Sequence, residues 1–121
     1  MAAHNEFGKW GEEVAVASLC EKGYVILERD WHSGKRDIDI IAKDGCVVVF
    51  IEVKTRRNRL MMEPEQAVDR NKIRNLALAA NSYVQSRQID NELRFDIITV
   101  VGEMGKQPDI HHIEDAFLPY Y

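Results

Sequence analysis

From Asn5 to Lys22 the apolar positions recur at helical spacing, with Phe7, Trp10, Val14 and Ala17 in one stripe that Ala15 and Leu19 widen. Asn5 is placed to cap the start, Glu6 suits the first turn, and Lys22-Gly23 is a good stop. The period then shortens to two. Tyr24 to Glu28 reads as a first strand, Asp30 to Lys35 as a turn or short loop, and Asp37 to Ala42 and Cys46 to Lys54 as two more strands. Lys43-Asp44-Gly45 joins these two as a hairpin. A basic loop, Thr55 to Glu63, precedes a second helix from Pro64 to about Arg87, with Val68, Ile73, Leu76, Ala77, Ala80, Tyr83 and Val84 on its apolar side. Asp90-Asn91 marks a turn, Arg94 to Val101 a fourth strand, Gly102 to Pro108 a loop, and Ile110 to Ile113 a short final strand. The order α-β-β-β-α-β implies an α/β fold, a mixed sheet flanked by helices, because a hairpin sheet followed by a helical crossover mixes strand directions.

The chain of 121 residues reads as one domain, 1–121, with neither an internal repeat nor a linker. Its longest apolar run, Cys46 to Ile51, is far short of the roughly 20 residues that span a bilayer. The first residues lack the basic and apolar regions of a signal peptide. With only Cys20 and Cys46, a disulfide framework is not expected, and both read as small, reduced core residues of a cytoplasmic protein. The net charge of −4 argues against a protein that coats nucleic acid without specificity. Positive charge is nevertheless concentrated: Lys54, Arg56, Arg57 and Arg59 lie close together, and Arg70, Lys72 and Arg74 follow. By charge alone a solvated basic face explains them equally well.

Two strand ends carry the chemistry. The run Val47-Val48-Val49-Phe50-Ile51 closes in Glu52-Val53-Lys54, and an apolar strand has no packing reason to end that way. Alternation puts Glu52 and Lys54 on one face, roughly 6–7 Å apart along the backbone. It also sets Asp37, Asp39 and Ile41 against Ile38 and Ile40, and the hairpin lays residues near 39 across from residues near 50, so Asp39 and Glu52 become neighbours. Two carboxylates and an ammonium group suit a divalent cation, Mg²⁺ or Mn²⁺, and a water activated beside it. Glu12 falls on the line Gly8–Glu12–Ala15–Leu19, at the margin of the buried helix face, where a carboxylate needs a partner.

Other residues favour plainer explanations. Trp31 reads as a half-buried loop anchor rather than a base-stacking platform, and Gln66 as a polar residue at a helix start. Lys72 could reach a phosphate, though simple surface charge accounts for it as well. His111 and His112 point to opposite faces if they lie in a strand, which is poor for joint ligation, and a zinc site is not expected. A phosphate-cradling glycine loop and a serine hydrolase elbow are both missing.

The chain also resembles a known family. Gly11-Glu12, Ala15, Leu19, Gly23-Tyr24, then Asp37-Ile38-Asp39-Ile40-Ile41-Ala42, Phe50-Ile51-Glu52-Val53-Lys54-Thr55-Arg56 and Arg94-Phe95-Asp96 follow, in order, the pattern of the small bacterial YraN-like proteins. Asp37 stands where that family usually has glutamate, and Arg36 where it has glycine. The family is similar to the PD-(D/E)XK nuclease superfamily, near the archaeal Holliday-junction resolvases and restriction endonucleases. The resemblance implies a restriction-endonuclease-like αβββαβ core. It implies Asp39 and Glu52 as metal ligands, Lys54 as the catalytic lysine, and Glu12 as a supporting acid on a second metal or its water. The expected activity is hydrolysis of phosphodiester bonds in DNA, with Arg56, Arg57, Arg59 and Lys72 holding the nucleic-acid backbone. A homodimer is implied by the likeness alone. The rival expectation is a binding module without catalysis, on the same fold and holding nucleic acid or a partner protein. A third, weaker option is a hydrolase of small phosphate esters.

Overall fold

The protein is described here by a computed structural model covering residues 2–58, 60 and 70–117, with side chains from residue 5 onward. Helix α1 (Ala2–Glu21) leads into strands β1 (Val25–Ser33), β2 (Arg36–Asp44) and β3 (Val47–Arg56); helix α2 (Arg70–Arg87) then crosses to β4 (Glu92–Val101), and β5 (Asp109–Ile113) closes the order. The five strands form one sheet in chain order, antiparallel throughout except for the parallel pair β3–β4 that the α2 crossover requires. The mixed α/β architecture and the short last strand agree with the hydrophobic pattern.

Each face of the sheet is covered by a helix. On one side Ala15 and Leu19 of α1 pack on Ile40, Ala42, Val49, Ile51, Ile98 and Val100. On the other, Leu76, Ala79, Ala80 and Tyr83 of α2 pack on Ile38, Ile41, Val48, Phe50 and Phe95. Burial on both faces is why the central strands read as continuous apolar runs. Helix α1 ends in paired bonds, Tyr24 N–H to the Leu19 carbonyl and Gly23 N–H to that of Cys20, both 3.0 Å, with Gly23 at φ 90°. That is the left-handed stop expected at Lys22-Gly23.

Several expectations need correction. Helix α1 begins before Asn5, so Asn5 is not its cap, and its buried line runs through Phe7, Gly11, Ala15 and Leu19 while Ala17 is exposed. Strand β1 extends to Ser33, and the loop expected over Asp30 to Lys35 shrinks to a turn at Gly34-Lys35. Polar residues fit there because β1 is an edge strand, with one face open to water. Cys20 and Cys46 are both exposed rather than buried. The first lies on the solvent side of the last turn of α1, and the second follows the Gly45 turn. Trp31 meets Tyr83 edge-on at 5.2 Å, an anchor in the α2-side core. The expected start of α2 over residues 64–69, including Gln66 and Val68, lies outside the described residues, as does Arg59.

Strict alternation fails at one place in β2. Ile38 belongs to the α2-side core with Ile41, whereas Ile40 belongs to the α1-side core. The residue between Ile38 and Ile40 is Asp39.

Candidate functional site

The β2–β3 ladder ends at the pair Ile40–Ile51, one step short of Asp39 and Glu52. The strands therefore part where the acids begin. An amide on the parting edge needs a new acceptor, and the Asp39 Oδ2 provides it, taking the Val53 N–H at 2.8 Å. The hairpin thus brings Asp39 and Glu52 together, with pairing centred two residues further along β3 than expected.

Helix α1 delivers Glu12 to the same end of the sheet by a steric device. A Cβ on Gly11 would lie 2.0 Å from the Thr55 Oγ1, so only glycine lets the helix approach β3 this closely. The residue after Gly11 is Glu12, and the residue before Thr55 is Lys54. The contact therefore positions both.

The electrostatics report the crowding. Burial pushes the Asp39 carboxyl up to about 7; the Glu52 charge adds to this, the Val53 N–H opposes it, and Glu12 and Asp37 raise it further. Glu12 is raised as well, first by burial and then by Asp30, with Arg29 pulling the other way. Arg29 is itself ion-paired to Glu13, so its charge offsets only part of what burial and Asp30 do to Glu12. Glu52, with a side chain 17% exposed, is paired to Lys72 Nζ at 2.5 Å across from α2. Asp39 and Glu52 offer oxygen donors of the kind a hard divalent cation takes. Glu12, Asp39 and Glu52 do not, however, bring one ligand atom each within 4.8 Å of one another; among the described residues the group that does is Asp30, His32 and Asp37.

Clefts border Glu12 and Glu52, whereas Asp39 lines neither of the two larger ones. One, of about 250 Å³, is lined by Phe7, Gly8, Glu52, Val53, Lys54, Thr55, Arg56 and Lys72. The other, of about 830 Å³, is lined by Asn5, Gly8, Lys9, Glu12, Glu13, Arg29 and Asp30. Of the basic residues, Arg56 and Lys72 line the smaller cleft, and Arg56 donates to the Thr55 carbonyl at 3.0 Å. Arg56 lies at the end of β3 rather than in a loop. Arg57 stacks over the Phe7 ring at 4.5 Å, and Phe7 in turn stacks on Trp10. The Arg57 guanidinium is thereby held by an aromatic platform.

Some residues near the site carried no expectation. Asp30, His32 and Asp37 place one ligand atom each within 4.8 Å of one another, all exposed. The alternation Asp30-x-His32, with Asp37 opposite His32 in the hairpin, is a signal that register makes visible. Phe7 reads in sequence as part of the apolar stripe of α1, and Gly8 only as a position on the line that carries Glu12. His112, by contrast, is remote in role: its Nε2 lies 2.8 Å from the Asp96 Oδ2, in a buried network with Arg94. The two histidines do lie in β5 as a strand pair, and His111 Nε2 is buried with no partner among the described residues.

These features define a small mixed α/β protein with an acidic, lysine-flanked site where its central hairpin opens. The chain belongs to the uncharacterised protein family UPF0102, whose model matches residues 11–100. It is 50% identical over 120 residues to a UPF0102 protein of Phocaeicola vulgatus, covering 98% of each chain. A UPF0102 protein of Bacteroides thetaiotaomicron is 50% identical over 119 residues, again with 98% of each chain covered. One from Flavobacterium psychrophilum is 47% identical over 117 residues, with 97% of this chain and 98% of its own covered. The family model spans Glu12, Asp39, Glu52 and Lys54. Among the described residues no helix is long and apolar enough to cross a membrane.

Proposed function

We propose that this protein is a Mg²⁺- or Mn²⁺-dependent nuclease that hydrolyses phosphodiester bonds in DNA, built on a PD-(D/E)XK-type, restriction-endonuclease-like core. The observation that carries this reading is the half-buried Asp39 carboxyl, pushed up to about 7 by burial and by Glu52, with Glu12 contributing and Lys72 paired to Glu52 beside it. A fold does not crowd acids into one place for stability, since each like charge raises the free energy of the others. Such perturbed groups gather where chemistry is done.

Asp39 and Glu52 would hold the cation, with Glu12 reaching it directly or through water. When bound, that cation supplies charge to the scissile phosphate and makes water a better nucleophile at neutral pH. Lys54 shares the smaller cleft with Glu52, where its ammonium orients the attacking water and offsets charge developing on the phosphate oxygens. Arg56 and Lys72 line that cleft and hold the backbone phosphates, while Arg57 does so from its seat on Phe7.

The test is cleavage of labelled single-strand, duplex, flap, four-way-junction and RNA substrates in Mg²⁺ or Mn²⁺. Wild type is run beside Asp39→Ala and Lys54→Ala. The expected result is cutting of DNA by wild type and a loss of at least 100-fold in both variants. Equal activity in all three would mark a contaminant and end the assignment. Binding without cutting that survives Lys54→Ala would instead favour the binding module.

A further inference from the structure

Gly8 lies inside α1, and a Cβ there would meet nothing within 4 Å. Unlike Gly11, it is not required by any neighbour. Glycine in a helix interior is less favourable than alanine, so packing gives no reason for it. Its location does: Gly8 lines both clefts and is, among the described residues, the one they share. The carboxylates are divided across this saddle, Glu52 in the smaller cleft and Glu12 in the larger. Asp39 feels the charge of both. A ligand reacting at these acids would therefore extend to both sides of Gly8.

The two clefts differ in character. The smaller sets Lys54, Arg56 and Lys72 against Glu52, with Phe7 as a wall. At about 250 Å³ it is below the roughly 300–1,000 Å³ of a cleft that encloses a drug-sized molecule, and is suited to one sugar-phosphate unit. The larger, about 830 Å³, presents the acceptor Glu12 beside Lys9, the Glu13–Arg29 ion pair and Asp30, whose carboxylate also meets His32 at 3.2 Å. Carboxylates repel phosphate but accept hydrogen bonds from the amino edges of unpaired bases. Such edges are available when a strand is not in a regular helix.

Building on the nuclease reading, we propose that one nucleic-acid strand crosses α1 at Gly8, with its phosphate in the basic cleft and an adjoining unstacked nucleoside in the larger cleft. The preferred ligand is a single strand, or a single-stranded branch of a larger structure, rather than a continuous duplex. The missing side chain at position 8 lets the strand lie against the helix backbone between the clefts.

Fluorescence anisotropy of the whole protein tests this, using labelled single-strand DNA, single-strand RNA and duplex DNA of the same sequence, at one fixed salt concentration and in Ca²⁺. Wild type, Gly8→Ala and Gly8→Leu are compared, and thermal unfolding is recorded for each. Because nothing occupies the space, Gly8→Ala should raise Tm by about 3–6 °C, and Gly8→Leu should unfold no lower than wild type. Against that, single-strand binding should weaken severalfold in Gly8→Ala and at least tenfold in Gly8→Leu. The DNA and RNA arms show which sugar the trough accepts. Unchanged single-strand binding in Gly8→Leu, a wild-type preference for duplex, or no binding by wild type to any strand would each overturn the proposal. The nuclease reading fails separately. Single-strand binding that depends on Gly8, with no cleavage in any metal, would end that reading and leave the trough. Duplex cleavage undisturbed by Gly8→Leu would do the reverse.

Discussion

Asp39 and Asp96 are aspartates of the same sheet, on β2 and β4, and the protein treats them in opposite ways. Asp96 is fully buried, yet every side of it is answered. Arg94 donates to both its oxygens at 2.9 Å, His112 Nε2 lies 2.8 Å away, and the Asp115 N–H donates at 2.9 Å. Burial alone would raise this carboxyl, but those bonds outweigh it and hold it below the usual aspartate range. Arg94 is tied onward to Asp44 and to the Tyr24 hydroxyl, so the network joins β2, β4, β5 and the end of α1. Asp39 has one amide donor, with acids around it. Complete satisfaction makes a structural acid, whereas crowding with few donors makes a reactive one that a cation can quiet.

The largest effect should come from breaking the satisfied member. Asp96→Ala takes the buried partner from Arg94, whose side chain is 14% exposed and keeps Asp44 and the Tyr24 hydroxyl, and should destabilise the protein by about 2–4 kcal/mol in urea unfolding at pH 7. The stabilisation that Asp96 gives is present above the ordinary aspartate pKa and is lost as pH falls through its lowered folded value. Wild type should therefore lose this contribution only at strongly acid pH, and a loss below 1 kcal/mol in the variant would mean the network is not structural.

Asp39→Asn should act with the opposite sign. A carboxyl raised to about 7 binds its proton more tightly folded than unfolded, so its unfavourable term is absent below the unfolded value of 3.8. That term grows as pH rises and is complete above 7. Without divalent ions, the variant should be more stable than wild type by about 1–3 kcal/mol at pH 8, and the gain should vanish near pH 4. A variant less stable than wild type at pH 8 would show that Asp39 belongs with Asp96 after all.

The smallest effect concerns the ammonium on Glu52. The Lys72 side chain is 53% exposed, so its pair with Glu52 is worth under about 1 kcal/mol. Lys72→Met should tighten Mn²⁺ binding by a few-fold in calorimetry, because the ion no longer displaces a lysine, while weakening nucleic-acid binding and its salt dependence. Weaker Mn²⁺ binding in the variant would mean that Lys72 supports the cation site instead of competing for it.

Much of this arrangement was legible in the sequence, because it follows from period and order. The shift from 3.6 to 2 and the Asp-Gly turn gave the hairpin, and the hairpin brings Asp39 to Glu52. The run that ends in Glu52-Val53-Lys54 flagged the site because burial cannot explain those charges. What was hidden depends on three-dimensional approach. The break in alternation at Asp39 is invisible to a rule that assumes a regular pleat, and the two-residue difference in pairing comes from the turn, where Asp44 already lies opposite Val47. The ion pair of Lys72 spans two elements, and the seat of Arg57 on Phe7 joins residues that no local pattern relates. The exposed cysteines were misread because a residue type that favours cores says little at a helix end or beside a turn. Asp96 stands as an acid inside Phe95-Asp96-Ile97 with Arg94 two residues away on the same face of β4, but its partner His112 becomes evident only when β5 pairs with β4.

The contact between Gly11 and Thr55 bears on how this site could be moved or altered. It is a stop made of two surfaces, with no bond to weaken and no charge to screen, so salt and pH leave it untouched. Gly11 adjoins Glu12 in the chain and Thr55 adjoins Lys54, so a single point of touch indexes a helix-borne acid to a strand-borne base. Substitution at either position would be felt at both functional neighbours. Anyone transplanting the site to another scaffold would have to carry Gly11, Glu12, Lys54 and Thr55 as one unit, the two small residues as the jig that sets the two charged ones.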